Sequence, residues 1–161
     1  MEKRVLGLVI VFAFTLVQAF GQTRNDLDRK LNDAKNHLNV DIPKTTLHVH
    51  TQIAEEFLKQ AGSSSLATQC IYTKSKWYLN KYYDPLMRGF IHYESFRIND
   101  IEDQLKEADF TNQTAINQLH EDISAAVVMF DKEMAIWREF VSPTRDILAN
   151  TLKSCLSRNG V

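Results

Sequence analysis

The sequence predicts an all-α fold, an up-and-down helical bundle of about five or six helices closed by one disulfide. Three observations predict it. Apolar residues recur at spacings of three and four along most of the chain. Glycine and proline, at five and three in 161 residues, are scarce. No stretch keeps the apolar–polar alternation of a half-buried strand, so helices packed on helices are the economical architecture.

The opening residues stand apart. Met-Glu-Lys-Arg precedes the uncharged run VLGLVIVFAFTLV from Val5 to Val17, and small residues lead into the polar QTRNDLDRK. A charged start, a short apolar run and small residues describe a signal peptide, and the run is short for a bilayer span. Cleavage fits after Ala19 or after Gly21; the second exposes Gln22, which could cyclise. Residues 1–21 are therefore expected to be a signal peptide, and 22–161 a single helical domain of ordinary size with no stable membrane span.

Within that domain, Leu27, Leu31, Ala34 and Leu38 are spaced four, three and four after a Thr23-x-x-Asp26 start signal. Asp41-Ile42-Pro43 is expected to end this helix. Val49, Ile53 and Phe57, with Ala54, Leu58 and Ala61 beside them, form a second stripe that stops at Gly62. Ser63 to Ser65 then offer a turn and an N-cap. In the third helix, 100° per residue puts Leu66, Cys70 and Trp77 on one narrow seam. Ile71, Tyr72, Tyr78, Leu79, Tyr82 and Tyr83 spread over a wider sector. Two apolar sectors predict a central helix packed on several sides, with Trp77 near a Cys70 disulfide and tyrosine hydroxyls reaching the surface.

Asp84-Pro85 is expected to break or kink this element. Met87, Ile91, Glu94, Ile98, Ile101, Leu105 and Ala108 then resume helical spacing. Glu94 is the one polar member, expected at the stripe's edge with Tyr93 or Phe96 turned inward. The longest pattern runs from Ile116 through Leu119, Ile123, Ala126, Val127, Phe130, Met134 and Trp137 to Val141. Ser142-Pro143 is expected to start a last helix through Leu148, Leu152 and Cys155.

Secretion decides how Cys70 and Cys155 read. An even count in an oxidising compartment most simply means one intramolecular bond; two free thiols or an intermolecular link are the competing readings. Closing so long a loop stabilises by about 4–5 kcal/mol on the loop-entropy account. Neither cysteine lies in a CxxC pair. Asn112-Gln113-Thr114 is a glycosylation sequon between two helical patterns, which makes Asn112 the expected glycan site.

Little in the sequence supports catalysis or a cofactor. His48 and His50 could share a metal in an extended segment, but on a helix they point about 160° apart. His37, His92 and His120 have no partner at ligand spacing, so no metal or cofactor is expected. There is no nucleophile elbow and no glycine-rich phosphate loop. Neighbouring acids such as Glu55-Glu56 and Glu121-Asp122 diverge around a helix. An enzyme is not expected. With 19 basic against 20 acidic residues and no basic block, nucleic acid is not an expected partner either.

The aromatic run is what remains. Tyr72, Trp77, Tyr78, Tyr82, Tyr83, Phe90, Tyr93 and Phe96 are candidates for an extracellular protein interface, because tyrosine and tryptophan are favoured anchors. They are equally candidates to line an inter-helix cavity for a small hydrophobic ligand. Plain core packing is the competing reading, since aromatic stripes at helical spacing commonly fill interiors. Reversible binding to a lipid surface ranks lower: basic residues do not flank the stripes, and the disulfide would oppose opening.

A signal peptide before a helix-rich domain, Cys70-Ile71-Tyr72, and Cys155 in the final helix together resemble the tsetse EP domain family of secreted insect proteins. The resemblance covers roughly residues 45 to 156 and lacks the Glu-Pro repeat tail that names the group. It implies a secreted, non-enzymatic insect protein and transfers no functional residue. The expectation is thus a secreted, non-catalytic extracellular binding protein. The alternative is a carrier of small hydrophobic ligands near Trp77 and Tyr82.

Overall fold

The computed structural model describes residues 23–160, apart from the side chains at 138, 140, 141, 142 and 144. The expected signal peptide lies outside the described residues. The fold is an all-α helical bundle, and no strand occurs among the described residues. Helix α1 covers 23–36, α2 Ile42–Ala61, α3 Ser65–Tyr78, α4 Asp84–Glu107 and α5 Gln113–Arg158. Two wider π-helical turns, His37–Asp41 and Leu79–Tyr83, precede α2 and α4.

These turns correct the expected breaks. Helical backbone runs unbroken through Pro43 and Pro85, each the second residue of its helix. Proline lacks the N–H for an i→i−4 bond and its ring crowds the carbonyl four residues back. A π turn widens the helix just before that point and relieves the conflict. Pro143 likewise does not start a helix, because α5 passes through it. True interruptions come where local chemistry is stronger. Gly62, at φ 54°, closes α2, and the Ser64 hydroxyl accepts the Ala67 N–H at 3.3 Å to cap α3.

By packing, the chain forms two compact units. The first comprises residues 23–36 and Phe96–Val128. Its core is aliphatic: Leu27, Leu31, Ala34, Ile98, Ile101, Leu105, Ile116, Leu119 and Ile123 are buried. Lys35 Nζ donates to Glu102 at 2.7 Å, and Lys30 Nζ meets His120 Nδ1 at 3.0 Å. The Asn112 Oδ1 caps α5, accepting the Thr114 and Ala115 N–H groups at 3.0 and 3.3 Å.

The second unit comprises His37–Ser95 and 129–160. Ala61, Ala67, Ile71, Tyr78, Leu148, Leu152 and Cys155 form one buried cluster, with Phe57 and Leu58 packed on it. The Cys70–Cys155 disulfide joins α3 to α5 there, with Cα atoms 5.6 Å apart. Glu94 corrects the stripe-edge expectation, being fully buried while Tyr93 and Phe96 are exposed. The original spacing of fours and threes was therefore the true inward face of α4, and the polar residue sits on it.

Candidate functional site

The aromatic candidates separate into two groups, and the helix angle explains the split. Successive residues differ by 100°, so Trp77 and Tyr78 cannot share a face. Tyr78 turns into the core with Ile71 and is fully buried, whereas Trp77 is 43% and Leu66 67% exposed. The Leu66–Trp77 seam is thus an exposed strip, and of the wider sector Ile71, Tyr78 and Tyr83 pack inward while Tyr72 does not. Cys70 on that seam is half-buried by its disulfide. Tyr83 and Phe90 are also buried, Tyr82 is half-buried, and Tyr72, Tyr93 and Phe96 lie at the surface.

Ring contacts link part of this set. Trp77 meets Tyr82 edge-on at 5.7 Å between centroids, and Tyr82 meets Tyr78 at 5.6 Å. Tyr78 and Tyr83 both contact the His50 ring, at 5.6 and 5.4 Å. At the outer end, the Lys81 ammonium lies 4.9 Å from the Trp77 ring centre and 5.4 Å from that of Tyr82. A cation over an exposed indole partly orders it. Phe90 pairs with Trp137 instead, at 5.7 Å. Tyr72 and Tyr93 take no part in this chain of rings.

The expectation that tyrosine hydroxyls reach the surface fails at Tyr78 and Tyr83. The Tyr83 hydroxyl donates to the Pro43 carbonyl at 2.6 Å. Burial first, and the nearby Asp84 charge second, push its pKa up to about 12. That bond ties the second π turn to the start of α2.

Sequence reasoning weighed His50 only as a metal partner of His48 and missed its place in the interior. It is 3% exposed, and its Nδ1 lies 3.0 Å from the Thr46 carbonyl. A carbonyl only accepts, so Nδ1 carries the proton. Burial is the largest influence on the imidazole and lowers its pKa; the Thr46 bond opposes this and the Arg145 charge adds to it. The neutral ring leaves Nε2 as an acceptor, and Nε2 has no hydrogen-bond partner. Ser75 Oγ is buried and without a partner as well. Both residues line one pocket of about 160 Å3, with Thr51, Ala54, Tyr78, Leu79 and Leu148. A second apolar pocket, lined by Thr46, Phe90, Met134 and Trp137 among others, holds only about 20 Å3.

No protein-family model, curated protein or solved structure matches the chain.

Among the described residues no cluster of three His, Cys, Asp or Glu side chains is placed to hold a metal ion. His48 and His50 sit on one helix, His48 exposed and His50 buried. His37 lies against two carboxylates, with Nε2 3.0 Å from Asp131 and Nδ1 3.7 Å from Asp41. No helix among the described residues is long and apolar enough to cross a membrane. The signal for His50 was present in the sequence. Ile42, Thr46 and His50 are spaced by fours, a second inward row on α2 beside the Val49–Ile53–Phe57 row.

Proposed function

We propose that the chain is a secreted, non-catalytic extracellular binding protein whose partner is another protein. The exposed strip of α3 carries this reading. Leu66 and Trp77 lie eleven residues apart, three helical turns, and share one face. An exposed indole on a rigid helix, beside Lys81 and above a disulfide-fixed base, has the character of an interface anchor. The disulfide supports an oxidising compartment. The exposed Asn112 supports glycosylation there, since its Oδ1 is taken by the cap and its Nδ2 is left for a glycan. The reading accords with the tsetse EP domain resemblance.

Non-catalytic action is supported by what the His50–Ser75 pair lacks. A serine nucleophile needs its Oγ in hydrogen-bonding reach of an imidazole and free N–H donors for the developing oxyanion. His50 and Ser75 do not hydrogen-bond, and both sit inside helices, where backbone N–H groups are committed.

Affinity capture from extracellular fluid tests the first reading, with the wild-type chain beside a Leu66→Ala, Trp77→Ala variant. A protein held by the wild type and lost about tenfold or more by the variant supports it. Equal retention by both would sink the α3 face.

A second reading, carriage of a small hydrophobic ligand, is favoured by the pocket beside Tyr78. At about 160 Å3 it falls below the usual range of several hundred Å3 for larger ligands. It suits only a compact molecule.

A further inference from the structure

We infer that the pocket of the second unit binds a small neutral molecule with a flat apolar body and one hydroxyl, the hydroxyl donating to His50 Nε2 and accepting from Ser75 Oγ. This inference rests on the carrier reading and names its ligand class.

Four observations carry it. Size comes first: about 160 Å3 suits roughly six to eight non-hydrogen atoms, given that a 150 Å3 apolar cavity accepts benzene. The lining comes second. Tyr78 supplies an aromatic wall and Ala54, Leu79 and Leu148 an aliphatic one, and the hydroxyl of Thr51, the remaining neighbour, already donates to the Leu47 carbonyl, so most of the ligand must be apolar.

Polar demand comes third. His50 Nε2 is a lone acceptor, because Nδ1 already donates to Thr46. Ser75 Oγ retains a proton to give. Other hydroxyls inside these helices bond to the carbonyl four residues back: Thr46 to Ile42, Thr51 to Leu47, Thr73 to Gln69 and Ser95 to Ile91. Ser75 does not, although that bond is the usual refuge of a helical serine. Two buried polar atoms without partners, in residues that line one pocket, are costly, and a hydroxyl that donates to one and accepts from the other answers both.

Charge comes fourth. Among the described residues no carboxylate lines the pocket to receive a cation, and the Arg145 charge acts unfavourably on a positive group at His50. No lysine or arginine among the described residues lines it to receive an anion. A neutral ligand remains.

Phenol and toluene, nearly equal in size, make the test. Each is titrated calorimetrically into the disulfide-bonded secreted chain at pH 7.5, with the 15N resonance of His50 Nε2 followed by NMR. Phenol is expected to bind about tenfold tighter than toluene, the worth of one buried hydrogen bond. It should move the Nε2 resonance where toluene does not. His50→Leu should abolish the preference while keeping toluene binding. Ser75→Ala, a smaller change that serves if His50→Leu fails to fold, should weaken phenol several-fold. Equal affinities with an unmoved Nε2 would overturn hydroxyl recognition and leave the carrier reading standing. Binding of neither at millimolar concentration would mean that the pocket holds water only, and would overturn both.

Discussion

The two compact units use opposite means of filling an interior. In the first, every buried apolar side chain among the described residues is aliphatic, and the charges stay at the rim in pairs such as Lys35–Glu102. In the second lie the buried aromatics Tyr78, Tyr83, Phe90 and Phe130 and all the buried polar residues among those described, Thr46, His50 and Glu94. It also contains both π turns and the disulfide. Aliphatic side chains fill space without asking for partners. Buried polar groups and rings impose geometry, and they collect where the pocket and the exposed indole are found. The contrast separates a unit filled by aliphatic side chains from one whose interior also holds rings and polar groups.

The disulfide gives the largest expected effect on this contrast. Replacing Cys70 and Cys155 with alanine should lower the unfolding free energy by about 4–5 kcal/mol on the loop-entropy account. Hydrogen exchange should quicken chiefly at α3 and the end of α5. Equal acceleration of residues 23–36 would break the division into units. Core truncations come next. Phe90→Ala should cost about 3–5 kcal/mol, and Ile123→Val in the aliphatic unit only about 0.5–1.5 kcal/mol, both read from urea midpoints.

Histidine titration sharpens the comparison further. Burial holds the His50 pKa below its ordinary value of 6.5 in the folded chain. The unfolded chain therefore takes up the proton first as the pH falls. Stability contributed by neutral His50 is fully present above pH 6.5 and declines below it. Urea denaturation between pH 7.5 and 5 should show a fall in the wild type that is smaller in His50→Leu; parallel profiles would contradict this account.

The smallest effect belongs to the aliphatic unit's rim. Lys35 and Glu102 are each about one-third exposed, and the Lys35 hydrogen bond is the main influence lowering the Glu102 pKa. Lys35→Met should cost about 0.2–1 kcal/mol, less at high salt. A loss above 2 kcal/mol would show that the pair is structural after all.

Helical periodicity was legible in the sequence because it is local. The stripes Leu27–Leu31–Ala34–Leu38 and Ile98–Ile101–Leu105 became buried faces as spaced. Gly62 and Ser64 became the stop and the cap, since their conformational preferences act over one turn. Prolines misled at 43, 85 and 143 because a lost hydrogen bond can be absorbed by a π turn or by helix on both sides. The Leu66–Cys70–Trp77 seam misled for another reason. Apolar spacing marks a face but does not say whether anything lies opposite it.

What the sequence determined by itself was therefore the all-α class, the helical stretches and the even cysteine count, each set by interactions among near neighbours. The tertiary structure alone decided that Tyr78 is buried while Trp77 is exposed, and that His50, Ser75 and Leu148 surround one pocket. These depend on segments dozens of residues apart. Their approach is set by how whole faces pack, which no local spacing encodes.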